Sequence, residues 1–303
     1  QVIDEIINRY SISHIDGIFC GNAVGTGGNL GRLMGLMCNL PNSVPAITVD
    51  MQCASALMSI EIAYAHIVSG IMDSAIAGGI ESSSLQPERV YASGDDREGA
   101  YKVAQFTPQD QSPLAMLEGA ERTIYKHNVT KEDLYPHIIG SHQRASAALD
   151  NPYLQSYIMH ITIDGKRCID ECIRPTMNEK LLSRMKPLLG ADSITNAGNA
   201  CLTHDGAAFV YLSNKKGPFK IHSVKPWAGN PQFSPEGALE STEGILKRTG
   251  LTMDDIDVVE WNEAFAIIDV LFNKAYPNHI KKYNMLGGAL AYGHPYGCSG
   301  AIL

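Results

Sequence analysis

Apolar residues along the chain change spacing most clearly between Ile47 and Glu81, in the stretch ITVDMQCASALMSIEIAYAHIVSGIMDSAIAGGIE. The β-branched run Ile47, Thr48, Val49 reads as a short strand. After Cys53, Ala54, Leu57, Met58, Ile60, Ile62, Ala63, Tyr64, Ile67 and Val68 are interrupted only by Ser55, Ser59, Glu61 and His66, which predicts a helix apolar on most faces and buried in a domain interior. A second short apolar run closes at Gly78 and Gly79. The rest of the chain is organised around this strand, helix, strand.

Elsewhere the pattern is local. Val2, Ile3, Ile6 and Ile7 have helical spacing, residues 14–20 read as a strand closed by Gly21, and a helix over 30–38 stops before Pro41. From Ser82 to about Pro187 polar residues dominate, which predicts an insert laid over the first α/β unit. Within it, residues 112–127 predict an amphipathic helix with Pro113 near its first turn, Thr130 with Asp133 predicts a capping box, and Asp164-Gly165 predicts a hairpin. Core-like sequence returns over 193–212, and residues 219–224 open a second α/β unit. Thr252 and Asp255 flank a turn, a strand is predicted over 256–261, and a helix follows Phe265 as far as Ala275. The chain closes on NMLGGALAYGHPYGCSGAIL, a glycine-rich loop leading into a helix.

Cys53 gives this plan its chemistry. At the first turn of a helix, unpaired N–H groups and the positive dipole end favour an anion, so the thiol is expected to tend towards thiolate, the nucleophilic form. Composition narrows the rest. With 303 residues, 45% hydrophobic and 28 glycines, the chain can bury a large α/β core. Its net charge of -8 argues against nucleic acid as a partner. Apolar stretches fall short of the ~20 residues that span a bilayer, so a soluble protein with no membrane partner is expected. Seven scattered cysteines, an odd number, point to a reducing, cytoplasmic setting, and no His or Cys pair beside Cys168 and Cys172 completes a metal set. The glycines at 21, 25, 27, 28 and 31 lack dinucleotide-binding spacing.

Six segments in order, DMQCASAL with AIAGGIESSS, SHQRASAAL, TNAGNACLTHDGAA, WNEAFA and GGALAYGHPYGCSGA, resemble the thiolases over essentially the whole chain. The resemblance implies an α/β thiolase fold, two similar α/β halves in a layered αβαβα arrangement. The N-terminal half is expected over 1–214 with its insert over 82–187, and the C-terminal half over 215–303. It implies a ping-pong acyltransferase that cleaves a 3-ketoacyl-CoA or condenses two acyl-CoAs in fatty acid metabolism, with coenzyme A as substrate and no bound cofactor. A homodimer or homotetramer is implied as well.

Acyl transfer between thiols needs a thiolate, a base and donors aimed at the oxyanion. The resemblance assigns Cys53 as the acylated residue, His294 as base and oxyanion donor, and Asn262 as holder of a water in the oxyanion hole. Glu263 would support Asn262, while Ala264 and Phe265 would line the acyl pocket. Met116 falls where the acetoacetyl-type branch has a histidine followed by methionine; here the pair is Ala115 and Met116, so that branch's substrate-positioning histidine is missing. The family's opening strand and the segment with its second catalytic cysteine have no counterpart in the sequence, and Cys298 is expected to be structural. Two rivals remain: a non-catalytic acyl-CoA-binding or scaffold protein, and a β-ketoacyl-synthase-like enzyme, against which the Asn262 and His294 motifs argue.

Overall fold

The computed structural model describes residues 1–102, 105, 107–108 and 112–303. The insert expected over 82–187 therefore includes six positions, 103–104, 106 and 109–111, that lie outside the described residues. In chain order the elements are α1 (Val2–Arg9), β1 (Gly17–Gly21), α2 (Leu30–Met37), β2 (Ala46–Val49), α3 (Ser55–Val68), β3 (Ser74–Ser82), β4 (Arg89–Val90), β5 (Ala100–Tyr101), α4 (Ala115–Lys126), α5 (Lys131–Ala148), α6 (Pro152–Tyr157), β6 (Thr162–Ile163) and β7 (Lys166–Arg167). There follow α7 (Glu179–Leu182), β8 (Asp205–Ser213), α8 (Glu236–Thr249), α9 (Ala266–Ala275), α10 (Ala289–Tyr292) and α11 (Ser299–Ile302). They fall into two compact units, one comprising Gln1–Pro108, Thr203–His222 and Pro295–Leu303, the other Gln109–Leu202 and Ser223–His294.

The first unit is built on a sheet of order β2-β1-β3-β8, in which β1 runs parallel to both β2 and β3, and β8 is antiparallel to β3. Side chains alternate across it with period two. Phe19, Ala75 and Ala77 pack with Ala63 of α3, whereas Ile18 and Ile76 pack with Ile3 of α1 and Met34 of α2. The buried residues of α3 are Ser55, Ala56, Ser59 and Ala63, all small, while Leu57 and Val68 stand exposed. The interior helix expected from composition is thus buried along one stripe of small residues, a face that lets a helix lie close against a sheet.

In the second unit α9 is the central element. Ile267 and Val270 pack with Ile124 of α4 and with Leu134 and Ile138 of α5, whereas Ile268 and Phe272 join Val259, Trp261 and Tyr283. The Phe272 and Tyr283 rings stack at 4.2 Å, and Trp261 meets Phe272 edge-on at 5.1 Å. The strand expected over 256–261 is reduced to a single parallel bridge, Val259 to Tyr283. Asn284 is the reason: its amide accepts from the Trp261 N–H and donates to the Trp261 carbonyl, both at 2.9 Å, so a side chain takes the bonds a neighbouring strand would take.

Local signals read from sequence hold. Thr130 and Asp133 form a capping box at the start of α5. Asp164 and Gly165 both have positive φ, 50° and 75°, the type I′ geometry of a two-residue hairpin joining β6 and β7.

Candidate active site

In the first unit, Cys53 lies in a 3-10 turn, Gln52–Ala54, between β2 and α3. Gln52 has φ 50°, in the left-handed region that a residue with a side chain seldom occupies. Neighbouring groups hold it there. The Gln52 N–H donates to Asp50 Oδ1 at 2.9 Å, the Met51 N–H donates to Ser55 Oγ at 2.8 Å, and Ser55 Oγ donates in turn to the Gln52 carbonyl at 2.6 Å.

The Cys53 thiol is pushed up to about 12, first by burial and then by the charge of Glu81, against one hydrogen bond from its own backbone. The thiolate expected from the helix terminus therefore does not hold at rest, because desolvation outweighs the dipole. Cys53 is a neutral thiol near pH 7.

Glu81, at the end of β3, is buried and accepts from Asn22 Nδ2 (2.9 Å) and from the N–H groups of Ala23 (3.0 Å), Val24 (3.2 Å) and Gly297 (2.9 Å). One carboxylate thus ties the loop after β1 and the end of the glycine-rich loop to the central strand. A side chain on Gly79 would place its Cβ 1.9 Å from the Gly297 carbonyl, so backbone can approach only glycine here.

In the second unit, His294 is 1% exposed and follows Gly293, whose φ is 87°. Its N–H donates to the Leu202 carbonyl at 2.8 Å. Asn262 Nδ2 donates to His294 Nε2 at 3.2 Å, which leaves the ring proton on Nδ1. Burial pushes the imidazole down to about 4, so it is neutral at pH 7. Asn262 Oδ1 is buried without a hydrogen-bond partner among the described residues.

The loops carrying this pair are held by Glu263, which is fully buried. It accepts from Ser141 Oγ at 2.5 Å, Asn284 Nδ2 at 3.0 Å, the Leu290 N–H at 3.4 Å and Arg144 Nη2 at 3.5 Å. Arg144 Nε also donates to the Asn284 carbonyl at 2.8 Å. Sequence reasoning placed Glu263 in support of Asn262 but missed Ser141, Arg144, Asn284 and Glu81. The signal available for two of them was the i, i+3 spacing of Ser141 and Arg144, which puts both on one face of α5.

Of the remaining candidates, Met116 is 40% exposed on the first turn of α4. Ala264 packs against both apolar clusters of the second unit, and Phe265, 7% exposed, belongs to the cluster around Leu134 and Ile138. Asn262 and His294 are thus brought together, Ala264 and Phe265 are placed by packing, and Met116 is exposed. Among the described residues no group of three or more His, Cys, Asp or Glu is arranged to hold a metal, and no helix is long and apolar enough to cross a membrane.

Asp269 of α9 is 1% exposed, and burial together with the charge of Glu263 holds its carboxyl well above the usual range. The folded protein therefore keeps a proton that the unfolded chain releases above about pH 4. The resulting penalty grows as pH rises towards the folded pKa. Asp269→Asn is accordingly expected to raise the thermal midpoint more at pH 8 than at pH 5; an equal shift at both would show that Asp269 carries no such proton.

The first unit thus carries a half-buried cysteine at a helix start, and the second a neutral histidine on a glycine-rich loop bonded to Asn262; comparison with known proteins gives the class, an acyltransferase. The thiolase N-terminal domain matches residues 1–216 and the thiolase C-terminal domain residues 219–303. The chain belongs to the thiolase family, a family of acyl-CoA acyltransferases. Similar proteins include "Putative acetyl-CoA C-acetyltransferase VraB" of Staphylococcus aureus strain MSSA476, 33% identical over 305 residues, covering 96% of this chain and 80% of that protein. The protein of the same description from Staphylococcus epidermidis is 33% identical over 325 residues, covering 100% and 84%. Human mitochondrial 3-ketoacyl-CoA thiolase, solved in complex with CoA, superposes with TM-score 0.87 at 28% identity, over 99% of this chain and 81% of that one. Acetyl-CoA acetyltransferase of Bacillus anthracis, at 24% identity, shares the fold with TM-score 0.84, over 99% of this chain and 82% of that one.

Proposed function

We propose that this acyltransferase works by a ping-pong mechanism on coenzyme A thioesters, carrying the acyl group on Cys53. The observation that carries the reading is the Asn262–His294 hydrogen bond, made by an imidazole that burial keeps neutral. His294 takes the Cys53 proton as sulfur attacks the thioester carbonyl, and the imidazolium formed then stabilises the oxyanion. A water donating to the orphaned Asn262 Oδ1 supplies the second donor. Coenzyme A leaves as thiol with the imidazolium proton, and a second thiol takes the acyl group from Cys53, passing its proton back to His294. Given a further acid–base group at the substrate α-carbon, the same acyl-cysteine serves condensation of two acyl-CoAs and its reverse, cleavage of a 3-ketoacyl-CoA. CoA and acyl-CoA are substrates, with no metal or prosthetic group in these steps.

In this reading the N-terminal half spans 1–214 with its insert at 82–187, and the C-terminal half spans 215–303. Met116 and Ala264 border the acyl chain, with Phe265 behind them. The protein serves fatty acid metabolism in the cytoplasm as a homodimer or homotetramer, without nucleic acid or membrane partners.

The direct test is turnover of acetoacetyl-CoA plus CoA, and of longer 3-ketoacyl-CoAs, followed by thioester absorbance. Asn262→Ala is expected to lower kcat by about 10²–10³, the usual effect of losing one oxyanion donor. Binding of acyl-CoA with no turnover and no covalent adduct would overturn the reading.

A further inference from the structure

The Ser141 hydroxyl joins the two segments that carry the candidate pair. Its Oγ donates to Glu263 Oε2 at 2.5 Å, on the residue next to Asn262, and accepts from the Gly288 N–H at 3.1 Å, at the head of the loop that runs through α10 to His294. Ser141 is fully buried, so water cannot replace either bond. The surroundings leave little slack. A Cβ on Gly288 would lie 2.5 Å from the Glu263 carboxyl, and one on Gly287 would lie 2.8 Å from the Ser141 carbonyl and 2.7 Å from the Ala145 methyl. The loop therefore rests directly on α5, with backbone against side chain, and the hydroxyl is a polar link at its head, beside the Arg144 Nε bond to the Asn284 carbonyl.

We propose that Ser141 is a positioning residue, whose hydroxyl sets the Asn262–His294 geometry by bridging Glu263 and Gly288. This rests on the reading that Asn262 and His294 serve acyl transfer. Ser141 touches no substrate. It acts by holding Asn262 Nδ2 against His294 Nε2, a contact in which the imidazole carries its proton on Nδ1. Without the bridge the Leu290 and Asn284 bonds to Glu263 remain, but the Gly288 N–H loses its acceptor and the loop can shift at its head, where a displacement of about 1 Å between such groups costs roughly 10²-fold in rate.

The test uses the full chain and four forms: wild type, Ser141→Ala, Ser141→Thr, and Val129→Ala as a core truncation in the same unit outside the network. Steady-state kinetics with acetoacetyl-CoA and CoA are read beside the long-range ¹H–¹⁵N spectrum of the histidine rings. Ser141→Ala is expected to lower kcat about ten- to a hundredfold with KM little changed, and to replace the single Nδ1–H signature of His294 by a tautomer mixture. Ser141→Thr keeps the hydroxyl and is expected to recover at least part of kcat and the single tautomer. Val129→Ala is expected to lower the thermal midpoint while leaving kcat and the spectrum as in wild type. Should Ser141→Ala lose stability as Val129→Ala does, yet keep wild-type kcat and the His294 signature, the proposal is overturned. Should wild type fail to turn over thioesters, the acyl-transfer reading fails by itself, and the His294 tautomer in Ser141→Ala still decides whether the hydroxyl sets the pair's geometry.

Discussion

Cys53→Ala is expected to abolish acyl transfer, lowering kcat by about 10⁴-fold or more, the scale seen when a covalent nucleophile is removed from a site whose parts act as a unit. Incubation of wild type with acetyl-CoA, followed by mass mapping, should place a single acetyl group on Cys53. Burial separates Cys53 from two of the other cysteines. Cys20 and Cys298 are fully buried and their thiols are pushed up to about 12. Cys53 shares the raised value but is half-buried and sits in a 3-10 turn that follows a positive φ at Gln52. An adduct on Cys20, Cys201 or Cys298 with Cys53 unmodified would show that the nucleophile has been misassigned.

His294→Ala has the second large expected effect, a loss of about 10²–10⁴ in kcat/KM, the range for a general acid–base group. Its pH dependence distinguishes this role from mere packing. With the thiol near 12 and the imidazole near 4, both groups are neutral from about pH 5 to about pH 9, so kcat/KM of wild type should be nearly flat there and fall on the acid side as His294 protonates near 4. Alkylation of Cys53 by iodoacetamide should follow the same profile. In His294→Ala the thiol must ionise unaided, so alkylation should rise about tenfold per pH unit towards 12. A variant that keeps the flat profile would remove His294 from the proton transfer.

Much of this protein is written locally. The strand, helix, strand between Ile47 and Glu81, the capping box of Thr130 and Asp133, and the Asp164-Gly165 turn each depend on residues within a few positions of one another, so spacing and residue type suffice to read them. The motifs around Cys53, Asn262 and His294 likewise carried the family and the candidate residues. Only the folded chain decided what those residues are held by and which protonation state they occupy. Glu81 reaches Gly297 across 216 positions, and Ser141 reaches Glu263 across 122, bonds that no periodicity encodes. The strand expected before Asn262 shrank to one bridge because the distant side chain of Asn284 took the Trp261 backbone. The helix start argued for a Cys53 thiolate, yet burial made it a thiol, because a helix terminus can be read from neighbouring residues whereas desolvation is set by everything the fold packs around the sulfur.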